Sequence, residues 1–99
     1  MSFVTTQPEA LSATATTLAG IGTTMSAENT AAAAPTTGVL PAAADEVSAL
    51  TANQFALHAQ MYQAISAQAE AIHQQLVSTL ATSATSYAAT EAANALTAS

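Results

Sequence analysis

The sequence has no Lys, Arg or Cys in 99 residues, and its six acidic residues give a formal net charge of −6. Binding to nucleic acid or to anionic lipid heads depends on basic side chains, so the missing cations argue against both. The missing Cys excludes disulfides. Protonated His is the only side chain left that can pair with a carboxylate, so ion pairs do not hold this fold together.

Pro and Gly are also scarce, with three of each, and neither occurs from residue 42 to residue 99. Ala supplies 28 residues and Thr 16. Long stretches rich in good helix formers and free of breakers indicate helices, and no alternating strand pattern is present. The sequence predicts an all-α, antiparallel two-helix hairpin: helix one over about residues 7–34, a loop at 35–41, helix two over about 42–81, and a partly helical tail at 82–99.

Short-range signals mark the predicted helix ends. Thr6 and Glu9 fit a capping box around Pro8, which costs no hydrogen bond in a first helical turn. Pro35 disfavours a helical residue before it, so helix one is predicted to end near residue 34. Asp45 and Glu46 suit the start of helix two, where carboxylates meet the positive end of the helix dipole.

Large apolar residues recur at steps of three, four and seven along both predicted helices. On helix two they cover more than one face, and an extended exposed apolar patch usually marks an interface. We therefore expect the hairpin to be half of an elongated helical bundle, completed by a second copy or by a different protein. Sequence alone does not separate residues that close the hairpin from residues that face the partner. The candidates are Leu11, Leu18, Ile21, Met25, Leu50, Phe55, Leu57, Met61, Ile65, Ile72, Leu76 and Leu80.

No residue pattern points to catalysis, a metal or a cofactor. His58 and His73 are 15 positions apart and form no metal-binding spacing, the acids are scattered, and neither a nucleophile elbow nor a glycine-rich phosphate loop is present. No apolar run is long enough to span a membrane, and the N-terminal residues lack the basic start and apolar core of a Sec signal peptide. The sequence predicts a non-enzyme without a transmembrane helix that, if exported, uses another route.

Tyr87 and Glu91 are the remaining pair of candidate functional residues. Residues four apart share one helical face, so a single partner can contact the ring and the carboxylate together.

Three stretches carry a family resemblance: residues 1–11 with Pro8-Glu9, residues 35–48, and residues 86–94 with Tyr87 and Glu91. In this order on an Ala-rich chain, they resemble the mycobacterial PE family, named for its Pro-Glu pair. The similarity covers essentially the whole chain and is greatest to short members without a C-terminal extension. Residues 39–48 are most similar to members exported by the type VII system numbered five. The nearly uncharged composition departs from members with several Lys and Arg.

The resemblance implies a hairpin that pairs with a PPE-family protein and is exported, as a folded pair, by a type VII secretion system. Tyr87 and Glu91 match the family's YxxxD/E secretion signal. A cytosolic chaperone is implied to contact mainly the PPE partner, and the exported pair to reach the cell envelope, cell surface or medium and to take part in host interaction. Two alternatives stay open: a self-associating structural protein of the cell surface, and a component of an outer-membrane solute-uptake pore.

Overall fold

The computed structural model describes residues 4–99 and contains two α-helices, α1 at Pro8–Thr37 and α2 at Glu46–Ala98, with no strand among these residues. The predicted all-α helical hairpin is confirmed. The first three residues of the stretch that resembles the PE family lie outside the described residues. The chain divides into two compact units. The terminal unit joins Met1–Gly22 to His73–Ser99, and the hairpin unit is Thr23–Ile72.

The start of α1 differs from the predicted capping box. The Gln7 carbonyl accepts the amides of Ala10 and Leu11, so Gln7 is the capping residue and Pro8 the first helical residue. The amide and hydroxyl of Thr6 donate instead to Glu91. The capping box is wrong because the capping residue is Gln7, one position later, and Glu91 rather than Glu9 accepts the Thr6 amide.

The end of α1 also differs from the prediction. The helix continues through Pro35 to Thr37 rather than stopping near residue 34. Pro35 lies in the last turn, where the hydroxyls of Thr36 and Thr37 donate to the carbonyls of Ala32 and Ala33. The Gly38 amide donates to the Ala34 carbonyl at 3.0 Å, which satisfies one of the carbonyls that a helix end otherwise leaves open. The connection to α2 is therefore residues 38–45, not 35–41.

Asp45 caps the start of α2. Its Oδ1 accepts the Ser48 amide at 2.8 Å, and its Oδ2 accepts the Ser48 hydroxyl at 2.9 Å. These two hydrogen bonds favour the carboxylate and lower the pKa of Asp45 below its ordinary value of 3.8. The cap sets the helix start at Glu46, four residues later than predicted, with both acids in the predicted favourable place.

The C-terminal segment is helical to Ala98, so the predicted helix end near residue 81 is wrong. No Gly or Pro interrupts it, and threonine hydroxyls bond back to the carbonyl four residues earlier. This return bond satisfies the hydroxyl within the helix and recurs at exposed threonines of both helices. It is made by Thr14, Thr16, Thr17, Thr30, Thr51, Thr85, Thr90 and Thr97.

Small and polar residues form the helix–helix seam of the hairpin unit, and half-buried leucines and a valine join them in the terminal unit. The most buried side chains are Ala15, Ala52 and Ala84, at 4–6% exposure, and no large side chain is fully buried among the described residues. Buried and half-buried positions alternate at three and four residues, as on one face of a helix. In the terminal unit they include Leu11, Ala15, Leu18, Gly22, His73, Val77, Leu80, Ala84 and Glu91. In the hairpin unit they include Ser26, Asn29, Ala33, Ser48, Ala52, Ala56, Ala59, Gln63, Ser66 and Glu70.

Candidate interaction surfaces

The structure divides the twelve apolar residues of the predicted interface into two groups. Leu11, Leu18 and Leu80 are half-buried in the seam of the terminal unit. The other nine are 48–68% exposed, which leaves them free to face a partner: Ile21, Met25, Leu50, Phe55, Leu57, Met61, Ile65, Ile72 and Leu76. That partner-facing role stays a prediction.

Five of the exposed residues form a stripe on α2 in the hairpin unit, which we name the outer stripe: Leu50, Leu57, Met61, Ile65 and Ile72. Their steps of seven and four residues keep them on one helical face. At 3.6 residues per turn, a residue two positions earlier lies about 200° around the helix axis. Leu50 and Leu57 precede the seam residues Ala52 and Ala59 by two positions. The outer stripe therefore lies on the side of α2 opposite to its own seam.

Two polar bonds join the helices of the hairpin unit. The Tyr62 hydroxyl donates to Asn29 Oδ1 at 2.7 Å, and Gln63 Nε2 donates to the Asn29 carbonyl at 2.9 Å. Both bonds can form at only one axial alignment of the two helices. They therefore specify the helix register, which the small side chains of this seam do not fix by their packing. Sequence reasoning did not find Asn29 or Gln63, because their roles depend on a residue more than 30 positions away.

His73 joins the helices of the terminal unit at a glycine. Its Nε2–H donates to the Leu18 carbonyl at 2.6 Å. A Cβ built on Gly22 would lie 2.7 Å from His73 Cδ2 and 2.8 Å from Nε2, so the ring occupies the space that a side chain at residue 22 would need. His58 is exposed and bonds to Gln54. Among residues 4–99 no group of three or more potential metal ligands is brought together.

The C-terminal motif lies on α2 in the terminal unit. Tyr87 is 47% exposed, and its hydroxyl has no hydrogen-bond partner among the described residues. Glu91, one turn later, is half-buried, and its Oε1 accepts the amide and the hydroxyl of Thr6, each at 3.0 Å. The predicted common face is present, and Thr6 is a neighbour that sequence reasoning missed.

An open groove of about 310 Å³ lies beside the Tyr87 ring. Its other described lining residues all carry hydroxyl groups: Thr82, Ser83, Ser86 and Thr90. Tyr87 therefore borders a surface that offers hydrogen bonds and no charge. At the opposite end of the chain, Pro8 is half-buried in the first turn of α1 and Glu9 is exposed.

A family model described as the PE family matches residues 4–94. The chain belongs to the PE family. It is 68% identical over 99 residues to the PE family protein PE13 of Mycobacterium tuberculosis, and the match covers all of both chains. Pro8-Glu9 and Tyr87 with Glu91 lie inside the matched region, and the predicted family resemblance is confirmed.

Two longer PE proteins of Mycobacterium tuberculosis match over almost all of this chain. The chain is 63% identical over 95 residues to the PE-PGRS family protein PE_PGRS33, covering 96% of this chain and 19% of that protein. It is 52% identical over 94 residues to the PE family protein PE8, covering 95% of this chain and 34% of that one. Within residues 4–99, neither helix is long and apolar enough to cross a membrane.

Proposed function

We propose that this PE protein is a helical-hairpin subunit that pairs with a PPE-family protein and is exported with it by a type VII secretion system, with Tyr87 and Glu91 as the export signal. The destination is the cell envelope, the cell surface or the medium. A cytosolic chaperone contacts mainly the PPE partner. The proposal of pairing is supported by the exposed outer stripe, which lies on the face of α2 opposite to the seam.

The exposed area of the outer stripe is large enough to drive association only with help from its neighbours. Complete burial of a Leu, Ile or Met side chain contributes about 1.5–3 kcal/mol. The five side chains are 53–68% exposed, so covering them contributes roughly 5–9 kcal/mol in all. Association itself costs about 4–15 kcal/mol. A stable pair therefore also covers apolar residues beside the outer stripe, of which Val47, three positions before Leu50, is 74% exposed.

Partner choice along this face depends on shape and hydrogen bonds. The chain has no Lys or Arg, so it cannot select a partner by offering a basic side chain. An apolar helical stripe is complementary to another helix of similar pattern, since side chains of one fit between side chains of the other. A helical PPE-family protein satisfies this requirement.

Pairing is tested by placing a charge in the outer stripe. Leu57→Asp and Ile65→Asp should each abolish co-purification with the partner, because an interface would then bury an unpaired carboxylate at a cost of several kcal/mol. Gln60→Asp is the matched control, since Gln60 is exposed on the same stretch of α2 outside the outer stripe. Unchanged affinity of both stripe variants would show that the interface lies elsewhere.

Light scattering separates pairing with a PPE-family protein from self-association. In the alternative, a self-associating surface protein, the outer stripe packs against the outer stripe of a second copy of the chain. We expect the lone chain to form no defined oligomer and the co-expressed chains to form a one-to-one complex. A stable dimer or tetramer of the lone chain would favour self-association and remove the main physical support for the heterodimer.

Export is tested at the C-terminal motif. The exposed Tyr87 ring and the Oε2 of Glu91, which has no partner among the described residues, are available to a receptor on one face of α2. Tyr87→Ala or Glu91→Ala should leave pairing intact and stop accumulation in culture filtrate of a mycobacterial host with an active type VII system. Ala88→Gln is the control on the adjacent exposed position. Normal export of both motif variants would exclude the assignment.

A further inference from the structure

Thr6 contacts the carboxylate of the C-terminal motif from the other end of the chain. Thr6 and Glu91 are 85 positions apart, and both are half-buried. Thr6 lies two residues before the start of α1, so its amide is outside the helix and needs an acceptor. Glu91 Oε1 accepts both that amide and the Thr6 hydroxyl at 3.0 Å.

The two bonds hold Glu91 without using up its carboxylate. An ionised carboxylate has two oxygens and about four acceptor positions. Thr6 uses two of these acceptor positions, both on Oε1. Oε2 accepts no hydrogen bond from any described residue, so its acceptor positions stay open. A receptor can therefore donate to Oε2 while Thr6 stays bound. The contact is suited to orienting the carboxylate rather than to masking it.

Orientation matters because the proposed signal consists of Tyr87 and Glu91 recognised together by one receptor. A Glu side chain on a helix surface samples several rotamers, and ordering it during binding costs side-chain entropy. With Oε1 tied to Thr6, the carboxylate keeps one position relative to the Tyr87 ring one turn earlier. Such preorganisation improves recognition without any additional contact to the receptor.

We propose that Thr6 is a positioning residue for Glu91, which holds the carboxylate in the rotamer that presents Oε2 together with Tyr87 to the export machinery. This inference rests on the proposed export role of Tyr87 and Glu91. It predicts that the N-terminal segment before α1 contributes to a signal whose recognised side chains all lie at the C-terminal end of α2.

Substitutions at Thr6 test the proposal in the paired, full-length protein. Thr6→Val keeps the side-chain shape and the amide but removes the hydroxyl, and Thr6→Ser restores the hydroxyl. Export of a tagged chain into culture filtrate is measured against its intracellular amount and its co-purification with the partner. We expect Thr6→Val to lower the exported fraction about fivefold, the factor that corresponds to about 1 kcal/mol for one hydrogen bond. Thr6→Ser should export normally.

Two further variants keep the result interpretable if Thr6→Val acts on folding. Thr6→Pro also removes the amide, so its export should fall further, toward the level of Glu91→Ala. In a Glu91→Ala background, where export is already stopped, Thr6→Val should leave co-purification with the partner unchanged, because Thr6 then has no carboxylate to position. A loss of co-purification in that background, or in Thr6→Val alone a loss of co-purification that matches the loss of export, would identify Thr6 as a general structural residue and overturn the proposal.

The remaining outcomes separate this inference from the proposed function. If Glu91→Ala is exported normally, the export signal itself is wrong. If Glu91→Ala is blocked but Thr6→Val is exported normally, only the positioning role is wrong. Increased export of Thr6→Val would also overturn the proposal, since it would show that Thr6 masks the carboxylate. A loss in Thr6→Ser equal to that in Thr6→Val would also overturn the proposal, since a side chain that keeps the hydroxyl would then fail to keep export.

Discussion

Gly22→Ala tests whether close packing of His73 on α1 stabilises the terminal unit. An added Cβ would lie 2.7 Å and 2.8 Å from two atoms of the His73 ring, well inside van der Waals contact. The ring must move, and its hydrogen bond to the Leu18 carbonyl is then lost or weakened. Gly20 is a matched control on the same helix, because no atom lies within 4 Å of a Cβ built there.

Gly22→Ala and Gly20→Ala are expected to change the free energy of unfolding in opposite directions. Replacing a helical Gly by Ala gains about 1 kcal/mol of helix propensity. At Gly22, overpacking costs about 1–3 kcal/mol and the lost hydrogen bond about 0.5–1.5 kcal/mol. Gly22→Ala should therefore destabilise the protein by roughly 0.5–3.5 kcal/mol. Gly20→Ala should stabilise it by up to about 1 kcal/mol.

The free energy of unfolding of both variants is measured by thermal and urea unfolding, followed by circular dichroism at 222 nm. The sample is the chain with its partner, or the chain alone if it unfolds cooperatively by itself. For a domain of this size, 1 kcal/mol corresponds to about 4–8 °C in Tm. The double variant Gly22→Ala with His73→Ala removes the ring that the new methyl group meets. It should be less destabilised than the sum of its single variants. Equal stabilisation by Ala at residues 20 and 22 would refute the packing argument.

Two further predictions concern hydrogen bonds that join or cap the helices. Asp45→Ala should lower the Tm at neutral pH, whereas Asp45→Asn should keep most of the cap, because an Asn oxygen also accepts the Ser48 amide. Because the pKa of Asp45 is lower folded than unfolded, its stabilisation is complete above about pH 3.8 and is lost as the pH falls through the folded value. A melt series from pH 7 to pH 2 should show this loss in the native chain and not in Asp45→Ala, and identical series would contradict it. Tyr62→Phe removes the donor to Asn29 and should cost about 0.5–1 kcal/mol in the same unfolding assay, and an unchanged Tm would show that the bond contributes nothing.

The composition of the seam explains why large apolar residues remain outside. Ala, Ser and Gly let two helices approach closely, and few large side chains fit between helices at that distance. Each unit therefore gains little apolar burial from its own seam: among residues 4–99 only Ala15, Ala52 and Ala84 are buried, and the leucines of the terminal seam are half-buried. Most of the apolar area that a bundle needs stays on the exposed faces. This distribution favours a protein whose stability depends on a second chain.

Local signals predicted the existence of both helices but missed three of the four ends. Helix propensity and the absence of breakers were sufficient for the helices themselves, and Pro8 was predicted within one residue of the start. The end after Pro35 was missed because the helix continues through the proline, and the Gly38 amide still donates to the Ala34 carbonyl beyond it. The last 18 residues were expected to fray for lack of apolar anchors, yet Ala84 is buried and Glu91 is tied to Thr6.

By itself, the sequence determined what depends on neighbouring residues: an all-α chain of two helices, and PE family membership through three ordered stretches. Only the tertiary structure decided which side of each helix is the seam. Both sides of α2 repeat at steps of three, four and seven, so periodicity alone cannot choose between them, whereas close helix approach favours the side with Ala. The Thr6–Glu91 contact likewise depends on the alignment of two helices, and no short segment of sequence encodes it.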